Sequence, residues 1–261
     1  MLTPVNQRQL TAAELCARCR PLVIAHRGAS RQAPENTLPA FAAALSLGVD
    51  LIEFDYQAAA DGTPVVIHDA DLDRTTNARD ILGCGPLKVA DSTWPELARL
   101  DAGSWFSPAF RGTPLPSLAD ALAAIVPGAV ALVERKSGDA ATLCRWLEAT
   151  NLTERVAVQS FDWQFLADCR RFVPQLTLAV LGEKALTSGR LDAAMDLGAS
   201  AVAWHDANTD AGSIAAIHAR GLKAWVWTVD DPARQRQLLA WGVDGVITND
   251  PAGLLRELGP G

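Results

Sequence analysis

Short apolar runs recur along this chain at intervals that leave room for one helix between most successive pairs. Leu22–His26, Leu51–Asp55, Val130–Glu134, Val156–Ser160, Leu176–Leu181, Ala201–His205, Lys223–Thr228 and Gly245–Thr248 are dominated by apolar residues. Strands buried on both faces read this way, and a sheet covered on both faces is parallel. Amphipathic stretches lie between them. In Thr37–Leu47, Leu38, Phe41 and Leu45 share a face, Pro39 sits in the first turn and Gly48 supplies a stop. Trp163–Phe172, Leu191–Leu197, Ala211–Ala219 and Ala233–Trp241 follow the same rule, and glycines 198, 221 and 242 close the last three. Eight such units predict a closed (β/α)8 barrel of the TIM type rather than an open sheet, and 261 residues is an ordinary length for one such domain.

Two segments break the rhythm. Pro64–His68 follows Asp55 too closely for a helical crossover, and Asp61-Gly62 between apolar runs is a hairpin signal. With those two residues as the turn, Ala60 faces Thr63 and His68 falls opposite Asp55. From about residue 71 to 116 there is no strand–helix alternation, and Gly, Pro, Asp, Trp and Arg abound. This stretch is read as a loop-rich insertion at the C-terminal face of the barrel, and long ordered loops in compact domains are usually functional. Residues 1–20 read as a polar, helix-like N-terminal extension, and 1–261 as a single barrel domain.

In such a barrel the C-terminal ends of the strands face the active site. His26 ends the first strand, with Arg27-Gly28 after it. Glu53 and Asp55, two apart near the end of the second, point the same way. Glu134 ends the next parallel strand, and Lys136 lies on its face. Three carboxylates converging on one mouth repel: at about 4 Å and an effective dielectric of about 20, each contact costs about 4 kcal/mol. A divalent ion removes that cost, and an all-oxygen set points to Mg²⁺ or Ca²⁺, with Mn²⁺ admissible, rather than zinc. The competing reading pairs these acids with Arg27, Arg135 or Lys136 as a structural ion network. His26 and His68 suit proton transfer, since a free imidazole titrates near about 6.5. His205 ends a strand but has no evident partner, and His218 reads as structural. Asn36 or Thr37 is expected to cap the first helix. Trp225 and Trp227 alternate, so one or both face the core or wall the pocket. Trp105 and Phe106 either cover a substrate or pack the insertion. Ser160 lacks a committed histidine–acid pair and is not read as a nucleophile.

The net charge of −7 argues against nucleic acid or an anionic membrane as the main partner, though a small phosphorylated substrate needs only local positive charge. No run is long and apolar enough for a transmembrane helix, and the N-terminus lacks the apolar core of a secretory signal, so a cytoplasmic protein is the expectation. Five cysteines, Cys16, Cys19, Cys84, Cys144 and Cys169, cannot all pair. Cys16 and Cys19 have no second ligand pair nearby, so thiols rather than zinc are expected.

In order along the chain, His26-Arg27-Gly28, Pro34-Glu35-Asn36-Thr37, Ala40-Phe41, Ile52-Glu53-Phe54-Asp55, Asp61-Gly62, Val65 to Asp69, Arg74-Thr75-Thr76, Leu115-Pro116-Ser117-Leu118, Glu134-Arg135-Lys136, Ser160-Phe161, Trp227-Thr228-Val229 and Thr248-Asn249 are found. This ordered set resembles the glycerophosphodiester phosphodiesterase family over nearly the whole chain. The resemblance implies a barrel with an insertion after the hairpin. It implies one divalent cation on Glu53, Asp55 and Glu134, with His26 and His68 as the acid–base pair. Arg27 and Lys136 would contact phosphate, and Phe161 and Trp227 would join them in binding substrate. The implied reaction is hydrolysis of a glycerophosphodiester to sn-glycerol 3-phosphate and an alcohol, attacked by water or by the glycerol's own hydroxyl. Two departures stand out: Asp230 where the family often has asparagine, and Arg135 where it usually has an aliphatic residue. By alternation Arg135 should point toward the helix layer. Rival readings are a phospholipase D-like lyase that stops at a cyclic phosphate, a metal-dependent sugar aldolase or isomerase, and a non-catalytic phosphodiester-binding barrel.

Overall fold

The computed structural model describes residues 10–83 and 87–259, so Cys84 and residues 1–9 of the expected extension lie outside the described residues. The strands are β1 (Leu22–His26), β2 (Leu51–Ala58), β3 (Pro64–Val66), β4 (Val130–Arg135), β5 (Val156–Ser160), β6 (Thr177–Gly182), β7 (Ala201–His205), β8 (Lys223–Trp227) and β9 (Gly245–Thr248). The helices are α1 (Ala12–Cys16), α2 (Leu38–Ser46), α3 (Ala78–Leu82), α4 (Trp94–Leu97), α5 (Leu118–Ile125), α6 (Ala140–Ala149), α7 (Trp163–Phe172), α8 (Ser188–Asp196), α9 (Ala211–His218), α10 (Pro232–Ala240) and α11 (Pro251–Leu258).

Eight strands pair in parallel around a ring that closes where β1 meets both β9 and β2. The ninth, β3, runs antiparallel to β2 outside the ring. Two apolar layers follow from the two faces of each strand. Inside, Leu22, Ile24, Leu51, Leu132, Ala203, Trp225 and Ile247 fill the barrel. Trp225 is fully buried there, which settles one of the two alternating tryptophans. It fits because Gly245 has no side chain: a Cβ there would lie 2.7 Å from the indole. Outside, the opposite strand faces pack against α2, α5, α6, α7 and their successors. Among the described residues no helix is long and apolar enough to cross a membrane.

The hairpin register differs from the expected one by a single residue. Tyr56 pairs with Val66, Gln57 with Val65 and Ala58 with Pro64, which puts Ile67, not His68, level with Asp55. The turn holds three residues, Ala60, Asp61 and Gly62, between Ala59 and Thr63, with Gly62 at φ +82°. An Asp-Gly two-residue turn of type I′ needs positive φ at both residues, and here Gly62 has it while Asp61 does not, so Ala60 joins the turn and the longer form is adopted. His68 still reaches the mouth because the chain leaves the strand after Val66. The insertion forms its own small core of Leu72, Ala78, Val89, Leu97, Leu100 and Leu115 against Val65 and Ile67 of the hairpin arm. Trp105, Phe106 and Phe110 stack edge to face within it.

Candidate active site

Strand register makes the first placement. His26 stands beside Glu53 in the β1–β2 pair, Asp55 beside Glu134 in β2–β4, and Glu134 beside Gln159 in β4–β5. Glu53 and Asp55 share the inward face because they are two apart. Glu53, Asp55 and Glu134 are only 1%, 1% and 7% exposed, and one oxygen of each lies within 4.8 Å of the others.

Such a cluster cannot carry three bare charges. Burial, then Asp55 and Glu134, push the Glu53 carboxyl well above the usual carboxylate range. Burial and Asp55 push Glu134 up to about 7, against the pull of Lys136. Burial acts the same way on Asp55, but Lys136 and Arg27 outweigh it and hold that group low. Lys136 Nζ lies 3.2 Å from Asp55 Oδ1 and also touches Glu134 Oε1. Apart from that ammonium, neither of these two buried oxygens has a polar partner among the described residues. Three carboxylates at mutual contact range, two of them with an oxygen that has no polar partner but the Lys136 ammonium, are a fitting donor set for one hard divalent cation.

Arg27 and Gly28 both adopt positive φ, at 57° and 83°. Gly28 is required: a Cβ there would meet Ala40 at 2.7 Å, so the turn can close on α2 only without one. The Arg27 conformation is uncommon for a residue with a side chain and marks a constrained turn. It aims the Arg27 amide at Glu53 Oε2, 3.0 Å away, while Nε reaches Asp55 at 3.2 Å and the guanidinium donates to Glu35 at 2.8 Å.

Each histidine is held through Nδ1. The Asn249 amide donates to Asp230 Oδ2 at 2.8 Å, and a carboxylate only accepts, so Asn249 Oδ1 must face His26 Nδ1, 2.7 Å away. Nδ1 therefore carries the hydrogen, and Nε2 is left with a lone pair. Burial, then Arg27, push His26 down to about 4, so the ring is neutral at neutral pH. On the other side His68 Nδ1 lies 2.6 Å from Asp69 Oδ1, which accepts its hydrogen. Asp69 is bound by Arg74 Nε at 2.5 Å, and Arg74 grips Glu35 at 2.9 and 2.8 Å. Glu35 in turn holds Arg27. One chain of charge-assisted contacts thus runs from His68 through the insertion's Arg74 to Arg27 and Asp55.

A cavity of about 240 Å³ opens between these groups, lined by His26, Arg27, Glu53, His68, Glu134 and Lys136 on one side. Phe161, Leu181, Glu183 and Trp227 line the other. Phe161 and Trp227 meet edge to face with centroids 5.6 Å apart. All nine residues singled out from the sequence are thus gathered at this mouth. Trp105 and Phe106 do not line it. A larger groove on the barrel flank, about 550 Å³, has only Asp61 and Asp139 as charged lining side chains, and both are committed to turns and caps.

The expected cap at the first helix is corrected. Thr37 occupies the cap position without a side-chain bond to the helix and donates to Pro34 O instead. Asn36, at φ 58°, exchanges two hydrogen bonds with Asp55, at 2.9 and 3.2 Å. Helix capping and carboxylate bracing call for the same residue type, so composition alone could not separate them. Asp230 is not a helix cap: Asp231 caps α10, and Asp230 accepts from the backbone and side-chain amides of Asn249, which places its charge behind His26. Arg135 does point to the helix layer, binding Asp162 and lying over Phe165. His205 packs against Trp227, and His218 pairs with Asp244. Glu35, Asp69, Arg74, Asp230, Asn249 and Gln159 complete the surroundings. Most of them lie in the short motifs, but their partners are far away in sequence.

Residues 26–253 match the model of the glycerophosphoryl diester phosphodiesterase family. A glycerophosphodiester phosphodiesterase of Caldanaerobacter subterraneus subsp. tengcongensis is 35% identical, over 90% of this chain and 97% of that protein. One from Bacillus subtilis is 32% identical, over 96% and 90%. Among solved structures, an Oleispira antarctica phosphodiesterase in complex with the product sn-glycerol-3-phosphate superposes with a TM-score of 0.83 at 27% identity, over 92% of this chain and 98% of that one. A glycerophosphodiester phosphodiesterase from Agrobacterium tumefaciens gives 0.77 at 29% identity, over 90% and 98%.

Proposed function

Because the chain belongs to the glycerophosphoryl diester phosphodiesterase family, we propose that its barrel mouth hydrolyses small glycerophosphodiesters, in a cytoplasmic setting, to sn-glycerol 3-phosphate and an alcohol. One observation carries this reading. Three buried carboxylates, two cationic side chains and two imidazoles, each imidazole tethered through Nδ1, meet at a single cavity. The Oleispira antarctica relative, whose complex holds sn-glycerol-3-phosphate, supports the choice of product.

Glu53, Asp55 and Glu134 would hold one divalent cation, Mg²⁺ or Ca²⁺ with Mn²⁺ admissible, which when bound supplies Lewis-acid stabilisation of charge on the phosphoryl oxygens. Arg27 and Lys136 bind the remaining phosphate oxygens, and their contacts with Asp55 and Glu134 keep them pointed at the cavity. Phe161 and Trp227 supply an apolar wall for the carbon skeleton. His26 is the base: it is neutral, with the Nε2 lone pair free, and takes a proton from the attacking hydroxyl, of water or of the glycerol itself. His68 is the donor. Asp69 behind Nδ1 balances the charge that the ring carries while it holds the proton, in the manner of a carboxylate behind a catalytic histidine. As the nucleophile's oxygen bonds to phosphorus, the bond to the alcohol breaks and the leaving oxygen takes the proton from His68 Nε2. When water is the nucleophile, exchange with solvent resets both rings. When the glycerol hydroxyl is, this step leaves a cyclic phosphate, which water opens to glycerol 3-phosphate with the two histidines in reversed roles: His68 takes the proton from water and His26 returns one to the departing glycerol oxygen.

The test is release of glycerol 3-phosphate from glycerophosphocholine and glycerophosphoethanolamine by metal-stripped protein, with Mg²⁺, Ca²⁺ and Mn²⁺ restored separately and Glu53→Ala alongside. Metal-restored release that is absent in the variant is expected. No release with any ion, or a cyclic phosphate as the final product by ³¹P NMR, would overturn the assignment.

A further inference from the structure

The half of the mouth away from the carboxylate cluster contains a charged group that the reaction above does not use. Glu183 follows β6 directly and lines the cavity beside Phe161, Leu181 and Trp227. Among the described residues its carboxylate makes no hydrogen bond or ion pair, yet the backbone that carries it is held at four successive points. Trp163 Nε1 donates to Leu181 O at 2.9 Å, Asn208 to Glu183 O at 2.7 Å, Trp204 Nε1 to Lys184 O at 2.7 Å, and Arg190 to Ala185 O. Gly182 belongs to the same construction, since a Cβ there would lie 2.0 Å from the Trp204 ring. A firmly held backbone thus presents an unpaired acid at the rim of the cavity.

That place is a junction. Phe161, Leu181 and Glu183 line both the 240 Å³ cavity and a neighbouring one of about 430 Å³ that runs toward Trp163 and Trp204. The end of β6 lies two inter-strand spacings, roughly 10 Å, around the ring from the end of β4, where Glu134 sits. A phosphate held at the carboxylate cluster would therefore send its alcohol toward Glu183. Lys184 and Arg190 line only the outer cavity, so among the charged side chains there Glu183 alone is shared with the cavity that would hold the phosphate. An anionic alcohol is repelled by it and a neutral polyol gains at most a hydrogen bond. An ammonium gains Coulomb attraction from the acid and contact with the faces of Phe161 and Trp227.

We propose that Glu183, with Phe161 and Trp227, forms a subsite for a positively charged leaving alcohol, so that diesters ending in an ammonium group are preferred over neutral ones. This rests on the glycerophosphodiester reading above and adds the alcohol class to it. The experiment compares kcat/KM for glycerophosphocholine, glycerophosphoethanolamine and glycerophosphoglycerol in the wild type, Glu183→Gln and Glu183→Lys. The wild type should favour the two cationic diesters about tenfold, the size of a partly desolvated cation contact. Glu183→Gln should cut the ratio to the few-fold that the aromatic faces supply, Glu183→Lys should lower it further, and added salt should shrink the wild-type preference, because the group is open to solvent. A cationic-to-neutral ratio that is the same in all three proteins, or a wild type that favours glycerophosphoglycerol, overturns the subsite while leaving the reaction intact. A wild type that releases glycerol 3-phosphate from none of the three overturns the reaction and the subsite together.

Discussion

Across the barrel mouth, the ends of β1, β2 and β4 carry side chains held from several directions, whereas the ends of β5 and β6 carry side chains held from few. Asp55 is touched by Arg27, Asn36 and Lys136 and is 1% exposed. Phe161 is 44% exposed, and its contact with Trp227 is an aromatic edge. On the first side a displacement of one group strains its neighbours, which suits chemistry that needs reacting atoms fixed to within a fraction of an ångström. The second side has a firm backbone and loosely held tips, which suits an alcohol that varies among substrates. On the proposed reading, the difference between the two halves separates a rate function from a selection function.

The largest expected effects fall on the first half and should be in kcat. Replacing His26 or His68 by alanine should lower turnover by about a hundredfold or more, the usual weight of a general acid or base. The two losses should differ in kind. A diester with a p-nitrophenol leaving group needs no proton on departure, so it should restore most of the rate to His68→Ala and little to His26→Ala. Equal rescue of both, or of neither, would undo the division of labour between them. Next come the groups that hold these residues. Asn249→Ala, Asn36→Ala and Arg74→Ala should each cost about ten- to a hundredfold in kcat or metal affinity, as for other outer-shell partners. Phe161→Ala, on the second half, should leave kcat nearly unchanged and raise KM by a few fold. A Phe161 variant losing kcat as heavily as Arg74→Ala would erase the contrast.

How much of this was legible beforehand follows the same division by range. The apolar runs specified the parallel ring because burial on both faces leaves a mark on every residue of a strand. Glu53, Asp55, Glu134 and His26 were legible because they interrupt such runs at the strand ends. The hairpin register was missed by one residue: Asp61-Gly62 reads as a two-residue turn, and only the strand pairing, with the Ala59 amide donating to Thr63 O, shows that Ala60 belongs to it. The groups behind the histidines were least visible as partners. His26 and Asn249 are 223 residues apart. Asn36 stands where a helix cap is expected, and nothing local reveals that its amide turns to Asp55 instead. Glu183 follows an apolar strand in a stretch without a motif, and only the closed ring brings it to the cavity.

The smallest effect concerns stability and probes the first half without substrate. In metal-free protein the folded-state pKa of Glu134 is raised to about 7, by burial and then by Asp55, and that of Glu53 is raised as well. The unfolded carboxyls titrate near about 4.3. Between those limits these two carboxyls hold more protons in the folded state than in the unfolded one, so their contribution to stability falls as pH rises. His26, held down to about 4, adds the opposite slope up to the free imidazole value of about 6.5 and none above it. The carboxyl contribution is fully present below the unfolded pKa and is lost as pH passes through the folded value. Thermal melts of metal-stripped protein should therefore show a Tm that declines by a few degrees from pH 6.5 to pH 8, each kcal/mol being worth about 2–4 °C in a chain of this size. Glu134→Gln should flatten that decline. A divalent cation should oppose it, and by more at pH 8 than at pH 5, because at the lower pH the ion must displace protons to bind. A melting temperature that rises over this range in metal-free protein, or a cation effect independent of pH, would mean that Arg27 and Lys136 already neutralise the three acids. In that case the close-held half of the mouth would be an ion network complete in itself, and the contrast with the open half would be one of stability rather than of chemistry.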